Sequence, residues 1–142
     1  MIEFIELNSS HGHYIYVCKL LSQLTTLGTN TYEEYIGYIL NSNKLKFTYL
    51  MKVNDNIVGI GTILIEKKII HSFKSVGHIE DIVIDKEHIG KKYGKYLIKY
   101  LLDKARLNNC YKAILDCNVD IQGFYEDCGF KNKGMCMGYY FE

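Results

Sequence analysis

Residues 77–105 read GHIEDIVIDKEHIGKKYGKYLIKYLLDKA and carry the clearest secondary-structure signal in the chain. Residues 77–85 predict a β-strand, and the continuous run Ile82-Val83-Ile84 is typical of a strand that is covered on both faces. Further along, apolar residues at helical spacing predict an amphipathic helix; they are Tyr93, Leu97, Ile98, Leu101, Leu102 and Ala105. A loop that contains glycine joins the two elements. The stretch therefore predicts a strand–loop–helix unit of an α/β protein.

The segments on either side predict a mixed α/β sandwich in a single domain that spans residues 1–142. Apolar patterning predicts strands at residues 2–7, 47–53, 57–65, 111–115 and 130–141. Helical periodicity predicts helices at 14–24, 31–40 and 121–128, and Thr31 followed by Glu34 is a capping box for the second of these. The element order β-α-α-β-β-β-α-β-α-β predicts a mixed central sheet flanked by helices.

Charge and cysteine content argue against several classes of function. The formal net charge is +1, which gives no basic surface for nucleic acid or an anionic membrane. No apolar run approaches the roughly 20 residues of a membrane span, and the N-terminus has no signal pattern, so we expect a cytoplasmic protein. The five cysteines form no CxxC pair, so we expect reduced thiols and no bound metal.

The loop at residues 89–95, IGKKYGK, has the composition of a phosphate-binding loop. Glycines let the backbone approach a ligand, and the first N–H groups of the following helix have no intrahelical partners. The lysines add positive charge. Ordinary solvated loops share this composition, so the loop alone does not distinguish the two interpretations.

Glu80 and Asp81 are adjacent carboxylates in the middle of the apolar strand. Successive residues of a strand point to opposite faces, so at least one carboxylate faces the core or a cleft. Burying a carboxylate without a partner is costly. A structural ion pair and a functional site both explain such a pattern.

Four further segments of the sequence are similar to those of a known protein family. They are CYKAILDC at residues 110–117, GFYEDCGF at 123–130, LTTLGT at 24–29 and EKKIIH at 66–71. Together with GHIED and the IGKKYGK loop, they occur in the order and at the spacing of glucosamine 6-phosphate N-acetyltransferases. The chain resembles this family of the GNAT superfamily over nearly its whole length, which implies the GNAT acyltransferase fold.

The resemblance implies acetyl-CoA-dependent acetylation of glucosamine 6-phosphate, a step towards UDP-N-acetylglucosamine. The residues implied to bind acetyl-CoA are Ile82, Val83 and Ile84 along the pantetheine arm, Ile89, Gly90, Lys91, Lys92, Tyr93 and Gly94 around the pyrophosphate, and Tyr125 at the sulfur. The residues implied to bind the acceptor are Thr25, Lys68, Ile69, Ile70, His71, Glu80, Asp81 and Asp116. Family members are dimers whose subunits contribute to each other's sugar sites, so we expect a homodimer.

The chemistry of acetyl transfer to an amine requires no covalent intermediate. A deprotonated nitrogen must be held against the thioester carbonyl while the thiolate departs. By the resemblance, Glu80 and Asp116 orient the amine and accept its proton, directly or through water. Tyr125 stabilises or protonates the leaving thiolate.

The sequence departs from the family pattern at two places, and other functions stay open. Ile89 and Lys92 replace the usual Gln or Arg and the usual Gly of the loop, and the chain ends in GYYFE where the family has an arginine for the sugar phosphate. We therefore expect Lys68 and His71 to neutralise that phosphate. One alternative is a GNAT enzyme for a different amine: a peptide N-terminus, a lysine or an unphosphorylated amino sugar. Another is a non-catalytic acetyl-CoA-binding module, since fold does not fix function.

Overall fold

A computed structural model describes residues 1–141, in which five strands form one mixed sheet in the order β1-β2-β3-β4-β5. The strands are β1 Ile2–Glu6, β2 Lys46–Val53, β3 Asn56–Lys67, β4 Ser75–Ile84 and β5 Cys110–Ile114. The helices are α1 His11–Leu21, α2 Tyr32–Leu40, the short α3 Ile70–Phe73, α4 Tyr93–Leu107 and α5 Gln122–Asp127. The first four strands pair antiparallel, whereas β5 runs parallel to β4. The sequence prediction of a mixed sheet flanked by helices is thus confirmed.

Local sequence signals account for the ends of the first two helices. The capping box of α2 is present: Thr31 Oγ1 accepts from the Glu34 backbone N–H, and the Glu34 carboxylate accepts from the Thr31 backbone N–H. Helix α1 begins and ends three residues earlier than its apolar periodicity predicts. Its start is fixed by Ser10, whose hydroxyl accepts a hydrogen bond from the His13 backbone N–H and caps the helix.

Helix α4 covers one face of the sheet, and α1 covers the other. The buried stripe of α4 consists of Leu97, Ile98, Leu101 and Ala105. Gly61 lets α4 approach β3 closely, since a Cβ there would lie 3.1 Å from Leu101 Cδ1 and 2.8 Å from Ile82 Cδ1. On the opposite face Leu20 of α1 packs with Leu50, Ile60 and Val83. The run Ile82-Val83-Ile84 is therefore covered on both faces, as its sequence predicts.

The predicted closing strand at residues 130–141 is wrong for the single chain. Residues 131–141 form no strand in the described part of the chain, and their side chains are exposed. The large apolar ones, Met135, Met137, Tyr139, Tyr140 and Phe141, are between 84% and 92% exposed. Apolar content alone does not make a strand, because a strand also needs a backbone partner. Across residues 1–141, no helix combines the length and apolar content that crossing a membrane requires.

Candidate active site

Strand β4 separates from its neighbour β5, which lies at the edge of the sheet, partway along its length. The pairing begins at Ser75 opposite Cys110 and ends at His78 opposite Ile114. Within residues 1–141, β4 continues from Ile79 to Ile84 with a strand partner on the β3 side alone. A gap therefore opens between the second half of β4 and the chain that follows β5, with unpaired backbone groups along one wall.

A β-bulge at Asp81 places both carboxylates of the GHIED segment on the same face of the sheet. Asp81 has a φ of 53°, and the β3–β4 register shifts between Ile60 and Thr62. Ile79 and Ile82, three residues apart, both pack in the α4 core, which a regular strand does not allow. Glu80 lies opposite Thr62, and Thr62 and Asp81 line one cavity on the α1–α2 face. Sequence alternation alone predicts opposite faces for the two acids.

The Glu80 carboxyl lies among other acidic groups. Partial burial is the main cause that raises its pKa, and the charges of Asp116 and Asp81 raise it further. His78 and Lys46 act in the opposite direction. Glu80, Asp81 and Asp116 are thus brought together, and a carboxylate with a raised pKa is better matched to taking up a proton near neutral pH.

The loop before α4 holds its backbone in an unusual conformation. Gly90 has a φ of 90°, and Lys92, at the N-cap of α4, has a left-handed φ of 64°. Lys92 occupies the position where the family has glycine and adopts the conformation that glycine favours. The Lys92 side chain accepts no capping hydrogen bond from the first N–H groups of α4, and both Lys91 and Lys92 are exposed. The first N–H groups of α4 are therefore available to an anion beside two lysines.

Gly94 in the first turn of α4 allows α5 to pack closely. A Cβ at this position would lie 2.9 Å from Phe124 Cζ. The next residue, Tyr125, is 9% exposed, and its ring makes edge contacts with Phe124 and Phe130. Burial is the main cause that raises the pKa of Tyr125 to about 12, so the phenol stays protonated and can donate a hydrogen bond at neutral pH.

The predicted acceptor-binding residues fall into two groups. Lys68, Ile69, Ile70 and His71 lie at the β3–β4 connection, beside the pairing of Lys67 with Ser75. Glu80 is five residues farther along β4, or roughly 17 Å at ordinary strand rise. Within one chain the two groups are therefore separated. Thr25 follows α1 and is exposed.

Several charges near the β3–β4 connection are already partnered. Lys68 Nζ lies 3.1 Å from Glu66 Oε2, and His78 Nε2 lies 2.8 Å from Glu66 Oε1. The His71 ring stacks on Tyr111 at 4.0 Å between centroids. His71, Ser72 and Phe73 all have left-handed φ values, between 52° and 63°. Three consecutive non-glycine residues in this region are strained, and such strain is often found at functional sites.

Asp85 is a buried carboxylate that sequence reasoning did not single out as functional. Its side chain is 1% exposed, Oδ2 lies 3.2 Å from Lys19 Nζ, and Oδ1 accepts from the Glu87 backbone N–H. Gln23, two residues after the end of α1, reaches the same region, donating to Asp85 and accepting from the Lys86 backbone N–H. These bonds, the Glu87 backbone bond first, lower the pKa of Asp85. The sequence does contain a signal for this residue, because Asp85 directly follows a buried strand and precedes the charged residues Lys86-Glu87-His88.

A cavity of about 270 Å³ lies on the α1–α2 face, next to the acidic pair. Tyrosine rings make up much of its wall, and Thr48, Thr62, Glu34 and Asp81 add polar groups; the three tyrosines are Tyr14, Tyr35 and Tyr38. In the described range, 1–141, no three His, Cys, Asp or Glu side chains converge in a way that could hold a metal ion.

Comparison with known proteins adds the family to this geometry. The profile described as "Acetyltransferase (GNAT) family" matches residues 14–130. Glucosamine 6-phosphate N-acetyltransferase of Arabidopsis thaliana is 36% identical over 129 residues, which cover 87% of each chain. The enzyme of the same name from Candida albicans is 42% identical over 84% of this chain and 83% of its own.

The comparison of structures agrees with the comparison of sequences. The crystal structure of glucosamine-6-phosphate N-acetyltransferase from Arabidopsis thaliana superposes with a TM-score of 0.87 and 32% identity, covering 100% of this chain and 99% of that chain. This similarity extends over the split strand, the loop and α5, which together form the candidate site. The chain therefore belongs to the GNAT acetyltransferase family and, within it, to the glucosamine 6-phosphate N-acetyltransferases.

Proposed function

We propose that the protein transfers the acetyl group of acetyl-CoA to the amine of glucosamine 6-phosphate. The observation that carries this proposal is the opening between β4 and β5, with the acidic group of Glu80, Asp81 and Asp116 beside it. The relatives from Arabidopsis thaliana and Candida albicans are both named glucosamine 6-phosphate N-acetyltransferase. The proposal places the reaction in the cytoplasm, on the route to UDP-N-acetylglucosamine.

Acetyl-CoA binds in the opening as an additional strand would. The pantetheine amides pair with the free backbone groups of Ile82, Val83 and Ile84, and the pyrophosphate lies on the backbone of Ile89, Gly90, Lys91, Lys92, Tyr93 and Gly94. Lys91 and Lys92 add charge to that contact. This arrangement carries the thioester past the acidic group and towards Tyr125.

The reaction proceeds by direct attack of the amine on the thioester carbonyl. Glu80, with Asp116 beside it, takes the proton from the substrate ammonium, so that the nitrogen lone pair is free. A C–N bond then forms, the C–S bond breaks, and the electron pair leaves on sulfur, while the second proton of the nitrogen passes through water to replace the one that Tyr125 gives to the thiolate. Tyr125 donates its phenolic proton, or a hydrogen bond, to the thiolate. The products are N-acetylglucosamine 6-phosphate and CoA.

A homodimer completes the acceptor site in this proposal. The extended tail at residues 131–141 carries five large apolar side chains that are almost fully exposed, and Ile69, Ile70 and Phe73 at the β3–β4 connection are also exposed. Exposed apolar surface of this extent is typical of an interface. In a second copy these surfaces cover each other, and Lys68 and His71 reach the acceptor bound by the other subunit.

The cavity favours a second candidate, a GNAT enzyme for an amine without a phosphate. Among the described residues that line the cavity, Glu34 and Asp81 are acidic and none is basic. Such a lining suits a cationic amine with an apolar body. This candidate differs from the first in a single measurable property, the preference for a phosphorylated acceptor.

The test is the release of free CoA, followed with a thiol-trapping dye, on a panel of acceptors. The panel contains glucosamine 6-phosphate, glucosamine, a lysine peptide and a peptide with a free N-terminal amine. The proposal predicts much the highest kcat/KM for glucosamine 6-phosphate. A higher value for any unphosphorylated amine favours the second candidate, and a folded protein that binds acetyl-CoA without releasing CoA for any acceptor is a binding module.

A further inference from the structure

Lys46 is a lysine on the acceptor face of the sheet that the resemblance assigned no role. It is the first residue of β2, it pairs with Leu64 of β3, and Leu64 in turn pairs with His78 of β4. Paired residues of neighbouring strands share a face, so Lys46 lies on the same face as Thr48, Thr62 and Glu80. Its side chain is half-buried. A half-buried lysine on the substrate side of the sheet requires an explanation.

Among the described residues, no acid lies within ion-pair distance of the Lys46 ammonium. In residues 1–141 it takes part in no ion pair, whereas Lys68 is held by Glu66 and Lys19 by Asp85. Its ammonium instead lies 5.2 Å from the centre of the Tyr38 ring, and Tyr38 lines the cavity. A contact with an aromatic face orients an ammonium but leaves its N–H donors free for an anion.

The position of Lys46 matches the span between the amine and the phosphate of a hexosamine phosphate. β2 and β4 are separated by two strand spacings, and Lys46 is offset from Glu80 by two residues along the strands, so their Cα atoms lie roughly 12 Å apart; side chains that lean towards each other shorten that distance. The charge of Lys46 also acts on Glu80, where it offsets part of the rise in the pKa of that carboxyl. An acceptor whose amine lies at Glu80 therefore extends its far end towards Lys46.

We propose that Lys46 binds the phosphate of the acceptor and so determines the preference for a phosphorylated amino sugar. Tyr38 acts as a positioning residue, because its ring holds the ammonium at the rim of the cavity. The inference rests on the proposed function and makes it more specific.

The test compares Lys46→Met with a control, Lys44→Met, on two acceptors. Methionine keeps the length of the side chain and removes the charge, and Lys44 is an exposed lysine in the turn before β2. We expect Lys46→Met to raise KM for glucosamine 6-phosphate about 10- to 100-fold, as loss of a charge-assisted hydrogen bond does. We expect kcat/KM for glucosamine to change by less than about twofold, since that acceptor has no phosphate to lose. Lys46→Arg should recover part of the loss.

The outcomes separate the inference from the proposed function. If Lys46→Met leaves both acceptors unaffected, or weakens both equally, Lys46 does not bind the phosphate and the inference is wrong while the function stands. If the wild-type enzyme prefers glucosamine, the proposed function and the inference both fail. Melting temperatures and circular dichroism of all variants are measured alongside, so that a variant that does not fold is replaced by Lys46→Gln.

Discussion

Two carboxylates, Glu80 and Asp85, lie five residues apart, near the two ends of the half of β4 that has no partner on the β5 side. Their surroundings differ in burial, in neighbouring charges and in the direction of the pKa shift. Asp85 is almost completely buried and meets Lys19, Gln23 and the Glu87 backbone N–H, and its pKa is lowered. Glu80 is exposed to the cleft, has acidic neighbours, and its pKa is raised.

The difference shows how the same chemical group serves opposite purposes along one strand. Asp85 is held as an anion by its lowered pKa, and it joins α1 to the start of the segment that leads into α4. Partial burial and the neighbouring acids disfavour the anionic form of Glu80 and raise its pKa, so the carboxylate accepts a proton more readily. The surroundings of Asp85 thus suit a structural anion, whereas those of Glu80 suit the proton acceptor that the proposed function requires.

The largest expected effect is the loss of turnover when Glu80 is replaced. Glu80→Gln keeps the size of the side chain but cannot accept a proton, so kcat/KM for glucosamine 6-phosphate should fall by roughly 10²- to 10⁴-fold. Steady-state CoA release measures this. Glu3→Gln, on the exposed face of β1, is the matched control and should behave as wild type. An active Glu80→Gln variant would move the proton acceptor elsewhere, with Asp116 the next candidate.

The converse change, Asp85→Asn, should affect stability more than chemistry. The amide loses the ion pair with Lys19 and offers the Glu87 backbone N–H only a neutral acceptor, which should cost about 1–3 kcal/mol of unfolding free energy. Urea denaturation at pH 7 measures this, with Asp55→Asn in the β2–β3 turn as control. Unchanged stability would mean that the buried carboxylate contributes nothing beyond what its amide provides.

The contributions of Asp85 and Glu80 to the free energy of unfolding should depend on pH with opposite signs. Because the pKa of Asp85 is lowered, its contribution to stability is present above the ordinary value of 3.8 and is lost as the pH falls through the folded value below it. Because the pKa of Glu80 is raised, its contribution is present below 4.5 and is lost as the pH rises through the folded value above it.

Two measurements follow from these signs. The gap in stability between wild type and Asp85→Asn should close on acidification below pH 3.8, as followed by denaturation at a series of pH values. The acid limb of wild-type kcat/KM should disappear in Glu80→Gln. A gap that persists at low pH, or a limb that survives in Glu80→Gln, would show that other groups titrate there.

The smallest expected effect is that of Lys19→Met, which removes the other partner of Asp85. The Lys19 side chain is 50% exposed, so solvent already screens much of the pair. The melting temperature should fall, but by less than in Asp85→Asn, because Gln23 and the Glu87 backbone N–H still donate to Oδ1 of the carboxylate. Lys99→Met, which breaks the exposed pair with Asp103, serves as control. An equal or larger fall in Lys19→Met would identify the ion pair, rather than the backbone bond, as the main support of Asp85.

The sequence predicted the elements better than the relations between them. The strand 77–85, the α4 stripe and the α2 capping box follow from local periodicity and short-range chemistry, and the structure bears them out. The bulge at Asp81 did not follow, because an acid at positive φ carries no sequence mark that separates it from regular alternation. The tail was predicted as a strand because apolar content does not specify a partner.

The candidate site divides in the same way. Glu80 and Asp81 attracted attention because they interrupt an apolar run, whereas Asp85 stands at the end of that run and looks like an ordinary exposed turn residue. Its burial depends on Lys19 and Gln23, which are more than sixty residues away in the chain. Lys46 was not predicted either, since the face it occupies is set by the registers of three strands.

The gap in the sheet has a consequence for handling the protein. From Ile79 to Ile84 one side of β4 has no strand partner, and we expect this edge to favour strand-to-strand association when acetyl-CoA is absent. If acetyl-CoA fills the gap, it acts as a conformational stabiliser as well as an acetyl donor. At 100 times its Kd, a ligand that binds the folded state alone adds about 2.7 kcal/mol. Purification and storage in the presence of CoA should therefore reduce precipitation and slow proteolysis.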